Sequence, residues 1–381
     1  MTTWQQRTPA NRVPESNWRR PTSTGTLTMD SHAVAKLRVA GAVYIGATNC
    51  SEFAAKGVTE NLLYGPTHNP WRTPDSQTFT TGGSSGGSAS AVAAGFGSFS
   101  LRTEPGGSIR RPASHCGIVG FKRSHGLVPH PHGFADARTG LSVVGPMART
   151  AADVALIMRC ISVYDAADPQ SIPVPEQMTA FDVMRLPSAG LRVTFSRDLG
   201  CGFARDPEVM NGMESAVAVL RQHGFHVLAA DPHWPSNTAT YEELASEEAG
   251  LASLYGQAQS DGGTTMDAAI AHLIDTGTRR SGVEVAAAML QRRPIHAALA
   301  RCFDEFDLLL CPTAPVTAWP LHENLPQTIG GTPVGVRGHA AFTPLFNICG
   351  VPACSVPVGP VGGLPVGLQI VGPRFSDGRA L

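Results

Sequence analysis

Helix-patterned and strand-patterned segments alternate along most of this chain, and such alternation leads to a sheet flanked by helices, an α/β fold. Asp30 is placed to cap a helix carrying Ala33, Val34, Leu37 and Ala40 on one face. Gly41 ends it, and Ala42 to Gly46 reads as a buried strand. Residues 65–87 are rich in Gly, Pro, Ser, Thr and Asn and read as a long loop running into a helical stretch at 89–95. Strands are expected at 96–102, 191–195 and 225–229. Amphipathic helices are expected at 150–161, capped by Thr150 with Asp153, and at 208–223, ended by Gly224. The last third returns to short buried strands at 307–310, 355–358 and 367–371, while 231–285 holds weakly patterned helical pieces.

Composition narrows the function classes. With 381 residues, 42% of them hydrophobic, the chain can bury a large core in one domain or two. Its 29 basic and 30 acidic residues are spread along the sequence, so no electrostatic footprint for nucleic acid or an anionic membrane is visible, and small neutral partners fit best. The start, MTTWQQRTPANR, lacks a basic end followed by an apolar run, and no apolar stretch approaches the roughly 20 residues of a membrane span. The expectation is a cytoplasmic protein. Eight cysteines without a CxxC pair argue against a zinc ribbon or a dithiol site, and are expected to be reduced and mostly buried.

The tract Gly82-Gly83-Ser84-Ser85-Gly86-Gly87-Ser88 has several readings. It is a glycine-rich turn before a helix, or it is a GxSxG nucleophile elbow. The elbow needs an apolar strand directly upstream, and Asp75 to Thr81 is polar. A third reading needs a partner motif, found at Arg102-Thr103-Glu104-Pro105-Gly106-Gly107-Ser108-Ile109-Arg110-Arg111-Pro112.

With both motifs present, the chain resembles the amidase signature family. The resemblance runs through GAVYIGATNCSEFA, YGPTHNPW, GGSSGGSASAVAAG, GGSIRRPASHCGIVGFK and GPMARTAADVALI, then resumes at FDLLLCPTAP and FTPLFNICGVPACSVPVG to GLPVGLQIVG. It implies one domain over 1–381, short of the family's length at both ends, with a mixed β-sheet core flanked by helices on both faces and a variable substrate-side insertion over 231–290. It also implies a Ser-Ser-Lys arrangement. Ser108 matches the nucleophile that forms an acyl-enzyme, and Ser84 matches the serine, held in a cis peptide, that relays the proton to a neutral lysine. A serine hydroxyl needs such a base at neutral pH. Gly106 and Gly107 let backbone N–H groups approach the oxyanion, although a tight turn explains them equally. Ser85 and Ser88 are supporting hydroxyls or helix-start residues, and Glu104 with Arg110 is expected to brace the nucleophile turn. No metal and no cofactor is called for.

Two positions depart from the family. Counting back in register from Pro21 puts Arg12 in the lysine's place, where a guanidinium, always charged, cannot act as a base. Lys36, Lys56 and Lys122 are no obvious replacements. An incomplete N-terminus, lost activity and another base all stay open. Pro105 replaces a residue with a backbone N–H, which removes one potential oxyanion donor.

Other candidates have plain alternatives. His125, His130 and His132 lie among prolines and glycines with no carboxylate or cysteine at ligand spacing, and read as a surface loop. Asn49 and Cys50 border a ligand crevice or cap a strand end. Phe134, Trp234, Tyr241 and Tyr255 hint at an apolar or aromatic substrate group. The expected activity is hydrolysis of a small-molecule carboxamide, with no nucleic-acid or membrane partner and a homodimer on abundance alone. Ranked below it are an ammonia-passing component like the glutamyl-tRNA amidotransferase A chain and a non-catalytic binding protein on the same fold.

Overall fold

The computed structural model describes residues 30–75, 77–130, 136–138, 140–173, 190–236, 238, 244–260, 266–323 and 325–381. The first helix among the described residues, α1 (His32–Val39), buries Ala33, Val34 and Leu37 as the pattern requires. The cap is Ser31 rather than Asp30: its hydroxyl accepts from the Val34 amide, while Asp30 pairs with Arg38 at 2.5 Å. The expected strand at 42–46 does not form, and Val43 and Ile45 stand 83% and 72% exposed. An apolar run becomes a strand only against a partner edge, and the segment pairs with no strand among the described residues.

Helix α2 (Gly86–Ala93) starts at glycines because its first turn is packed too closely for side chains. A Cβ on Gly86 would lie 1.9 Å from Thr81 Oγ1, and one on Gly87 would lie 2.4 Å from the Asn49 carbonyl oxygen. Strand β1 (Phe99–Glu104) leads through the second glycine turn into α3 (Arg110–Cys116). There follow β2 (Val119–Lys122), β3 (Val143–Ala148), α4 (Ala151–Ile161), β4 (Arg192–Phe195), α5 (Pro207–Gln222) and β5 (His226–Ala229). Helices α6 (Leu244–Ser260), α7 (Ala268–Arg279) and α8 (Gly282–Glu305) occupy the weakly patterned region, and α6 and α7 share a core of Leu251, Ile270 and Ile274. The chain closes with β6 (Leu308–Pro312), α9 (Pro344–Ile348), β7 (Ala353–Val361), β8 (Leu364–Val371) and α10 (Asp377–Ala380).

Eight strands form one sheet in the order β1-β3-β2-β7-β8-β6-β4-β5. It is mixed: β6, β4 and β5 pair in parallel, and every other neighbouring pair is antiparallel. Alternation along single strands shows that both faces are covered. In β3, Val144 packs with α1 and α4, whereas Met147 packs with α2 and α3. In β6, Leu309 and Cys311 face α8 and α9, whereas Leu308 and Leu310 face α5. No helix among the described residues is long and apolar enough to cross a membrane.

Candidate active site

Two glycine-serine turns pack against α3. The first follows isolated bridges at Phe79 and Thr80 rather than a strand, which removes the context of a nucleophile elbow. The Gly83–Ser84 peptide is cis, as the resemblance implies for the relay serine. Thr59, which no sequence pattern singled out, holds this turn with one hydroxyl. Thr59 Oγ1 donates to the Gly82 carbonyl at 2.8 Å and accepts from the Gly86 amide at 2.8 Å. Ser84 and Ser85 are each 1% exposed, and neither hydroxyl has a hydrogen-bond partner among the described residues. Ser88 is different: it bonds Thr48 Oγ1 at 2.7 Å and accepts from Arg102 Nε at 2.5 Å, so it ties α2 to β1.

The second turn carries Ser108, 5% exposed, between β1 and α3. Gly107 has φ +116°, and a Cβ there would meet Thr343 Oγ1 at 2.1 Å. Thr343 Oγ1 donates to the Gly106 carbonyl at 2.8 Å. The expected brace forms: Glu104 accepts from the amides of Ile109 and Arg110 at 2.8 and 3.0 Å and pairs with the Arg110 guanidinium. Arg110 also donates to Gln369 Oε1 and Asn347 Oδ1, both at 2.5 Å, and to the Thr343 carbonyl at 3.0 Å. Strand β8 and helix α9, remote in sequence, thereby fix the turn. The turns meet at α3, since a Cβ on Gly82 would lie 2.7 Å from His115 Cδ2 and 3.7 Å from the Pro112 nitrogen.

The chain has three lysines, and none bonds Ser84. Lys36 is exposed on α1. Burial pulls the Lys56 ammonium down, but its hydrogen bonds to Asp267 and Glu60 outweigh this and hold it above its usual range. Lys122 is fully buried, with Nζ donating to the Val351 and Arg123 carbonyls. Burial first, then Arg110, push it down to about 7. Arg12 lies outside the described residues. His115 and His339 are buried close by. Burial, then Arg111, pushes His115 down to about 3, and the same two causes hold His339 well below its usual range, so both are neutral.

The remaining candidates lie elsewhere. His125 bonds Gln170 at 3.3 Å and His130 sits 3.9 Å from Asp168, whereas His132 is outside the described residues. Among the described residues no three His, Cys, Asp or Glu side chains could hold a metal ion. Asn49 bonds Gly65 and Thr67 and accepts from the Cys50 amide, a structural role. Trp234 donates to the Leu199 carbonyl and Tyr255 stacks on Phe53 at 3.8 Å. Phe134 and Tyr241 fall outside the described residues. None of the eight cysteines is in a disulfide, and six are buried.

Comparison with known proteins shows the family. The sequence profile of the Amidase family covers residues 24–381. The chain belongs to the amidase signature family. It is 35% identical over 379 residues to the A component of the glutamyl-tRNA(Gln) amidotransferase of Chromohalobacter salexigens, covering 92% of this chain and 74% of the relative. Among solved structures it is similar to a bacterial aryl acylamidase of the amidase signature family, with TM-score 0.81 and 28% identity over 94% of this chain and 75% of that one. It is also similar to the A component of the Thermotoga maritima glutamyl-tRNA(Gln) amidotransferase, with TM-score 0.72 and 30% identity over 95% and 76% of the two chains.

Proposed function

We propose that this chain cleaves a non-peptide carboxamide through an acyl-enzyme on Ser108. Ser108 Oγ bonds to the carbonyl carbon, the C–N bond breaks, and the hydroxyl proton passes through Ser84 and returns to the leaving nitrogen. Water then hydrolyses the ester and frees the carboxylate and Ser108. The N–H groups of Gly106, Gly107 and Ser108 receive the oxyanion, with Pro105 contributing none. One observation carries the reading: two buried serines sit on glycine turns against the same helix, and the hydroxyl of Ser84 has no partner among the described residues. A buried hydroxyl without a bond is costly unless a ligand or a reaction step engages it. The relay still requires a base behind Ser84, which is none of the lysines at their observed positions.

A second reading has support from the relatives. Identity to the amidotransferase A components reaches 37%, against 28% to the aryl acylamidase structure, which favours an ammonia-transferring role more strongly than the sequence motifs do. Both readings share the seryl acyl-enzyme and differ in the fate of the ammonia. The test is labelling of the folded chain with a fluorophosphonate, with the modified residue located by mass spectrometry, followed by ammonia release from glutamine and from simple amides. Turnover by the chain alone supports the free hydrolase, and turnover only with an added partner protein supports ammonia transfer. A folded chain in which Ser108 stays unlabelled and no amide is cleaved sinks both and leaves a binding protein.

A further inference from the structure

The Ser84 hydroxyl has no hydrogen-bond partner among the described residues, so its place is set by the backbone of its turn alone. That backbone rests on residues 51–59. The Ser51 amide donates to the Ser84 carbonyl at 3.3 Å, and Thr59 Oγ1 holds Gly82 and Gly86 on the other side. Between them, a Cβ on Gly83 would lie 2.7 Å from the Lys56 carbonyl oxygen and 2.8 Å from the Val58 nitrogen. This cradle is not relaxed. Phe53 and Ala54 hold φ of 46° and 59°, left-handed values that are unfavourable for residues with side chains and persist only where neighbours impose them.

The neighbours are α6 and α7. Tyr255 of α6 stacks on Phe53 with ring centroids 3.8 Å apart, and Phe53 and Ala55 pack on the core that Leu251 shares with Ile270 and Ile274. Asp267 supplies the polar link through three of its atoms. Its Oδ1 caps α7 by accepting from the Ala269 amide at 2.9 Å, its Oδ2 accepts from Lys56 Nζ at 2.6 Å, and its amide donates to Glu52 Oε2 at 3.0 Å. Lys56 Nζ also donates to Glu60 Oε1 at 2.7 Å. Against the pull of burial, Asp267 and Glu60 keep the lysine charged. The side chains of Lys56 and Asp267 are 13% and 14% exposed, so this pair lies inside a hydrogen-bonded network and is unlike a solvated surface pair, which contributes little.

We propose that Lys56 and Asp267 are positioning residues for the relay serine, and that their ion pair carries the docking of α6 and α7 to the Ser84 turn. This rests on the reading of Ser84 as the proton relay to Ser108. A relay works only when its hydroxyl lies within hydrogen-bond reach of the nucleophile, and a misplacement of about 1 Å is costly in rate. Releasing the pair frees the backbone of residues 56–58 that backs Gly83. The Ser84 hydroxyl, which no bond of its own restrains, moves with it. A shift of α7 therefore reaches the reaction at Ser108 without any contact to that residue.

Asp267→Asn isolates the link, because asparagine caps a helix as well as aspartate does and only the charge facing Lys56 is lost. Lys56→Met removes the same bond from the other end, and Lys56→Arg keeps the charge. The rate of fluorophosphonate labelling reads the relay, since phosphorus bonds to Ser108 Oγ, fluoride leaves and the hydroxyl proton passes to Ser84. Labelling is expected to slow about 10-fold in Asp267→Asn and in Lys56→Met, within the usual range of coupling between two sites, and to recover in part in Lys56→Arg. In a Ser84→Ala background neither substitution slows labelling further. Amide hydrogen exchange followed by mass spectrometry gives a readout without chemistry: peptides over 51–60 and 82–88 exchange faster in the variants, while the strands of the large sheet exchange as in the wild type. Slowing that persists in full without Ser84 overturns the proposal, because the pair then acts by another route. Exchange at 82–88 unchanged in the variants overturns it as well. Faster exchange at 82–88 in the variants while Ser108 of the wild-type chain stays unlabelled upholds the link from α7 to the turn and sinks the hydrolase reading. The two substitutions break one bond from opposite ends, so either variant that folds decides the outcome.

Discussion

Glu104 and Arg110 form an ion pair from which solvent is wholly excluded, and the same carboxylate receives the two amides that open α3. The pair therefore sets the direction in which the chain leaves the Ser108 turn. Removing one partner strands the other charge in the interior, which typically costs about 3–5 kcal/mol. Glu104→Gln is expected to lower the urea midpoint accordingly and to reduce fluorophosphonate labelling of Ser108. Midpoint and labelling both at wild-type level would show that the pair does not hold the turn.

Ser84 separates function from stability. Its hydroxyl is buried without a hydrogen bond, so Ser84→Ala removes no contact and the denaturant midpoint should stay within about 0.5 kcal/mol of wild type. As a proton relay it should affect kcat, by about 10²–10⁴-fold, with little change in KM. A loss confined to KM would assign Ser84 to binding instead.

The two turn glycines should respond differently to alanine. At Gly107 a Cβ would meet Thr343 Oγ1 at 2.1 Å and Thr343 Cβ at 2.7 Å, with φ at +116°. At Gly106 the nearest atom is Arg138 Nη1 at 2.6 Å, the end of a long side chain that can move. Gly107→Ala is expected to destabilise by about 2–4 kcal/mol and to abolish labelling, whereas Gly106→Ala retains fold and labelling. Thermal melts and labelling of both variants check the order, and equal effects would count against it.

What could be read from the sequence was local. Ser84, Ser108 and the Glu104–Arg110 brace sit inside two short motifs, and the helices that bury one stripe declared themselves by period. The strand expected at 42–46 failed because an apolar run carries no information about whether an edge is available to pair with it. Thr59, Thr343, Asn347 and Gln369 gave no signal, since each is a single polar residue reaching the turns from 23 to 259 positions away. Lys56 was hidden for another reason. As a base it matches no position of the motifs, and its partner Asp267 lies 211 positions along the chain.

Lys122 gives the clearest pH signature. Fully buried on β2, it donates to the carbonyls of Val351 and Arg123, and burial, followed by Arg110, pushes it from 10.5 down to about 7. Between those values the unfolded chain holds a proton that the folded chain has released, so stability falls with a proton's uptake and rises with pH across the window, by up to about 1.4 kcal/mol per unit. Below about 7 both states are protonated and the buried charge weighs fully against folding. The neutral amine that replaces it at higher pH still donates to both carbonyls. Urea unfolding of the wild-type chain and of Lys122→Met at pH 7 and pH 9 isolates this residue. The stability difference should move in favour of the wild type by about 2 kcal/mol at the higher pH. A difference that does not change with pH would mean that Lys122 keeps its proton in the interior, with Glu104 and Asp377 outweighing the loss of water.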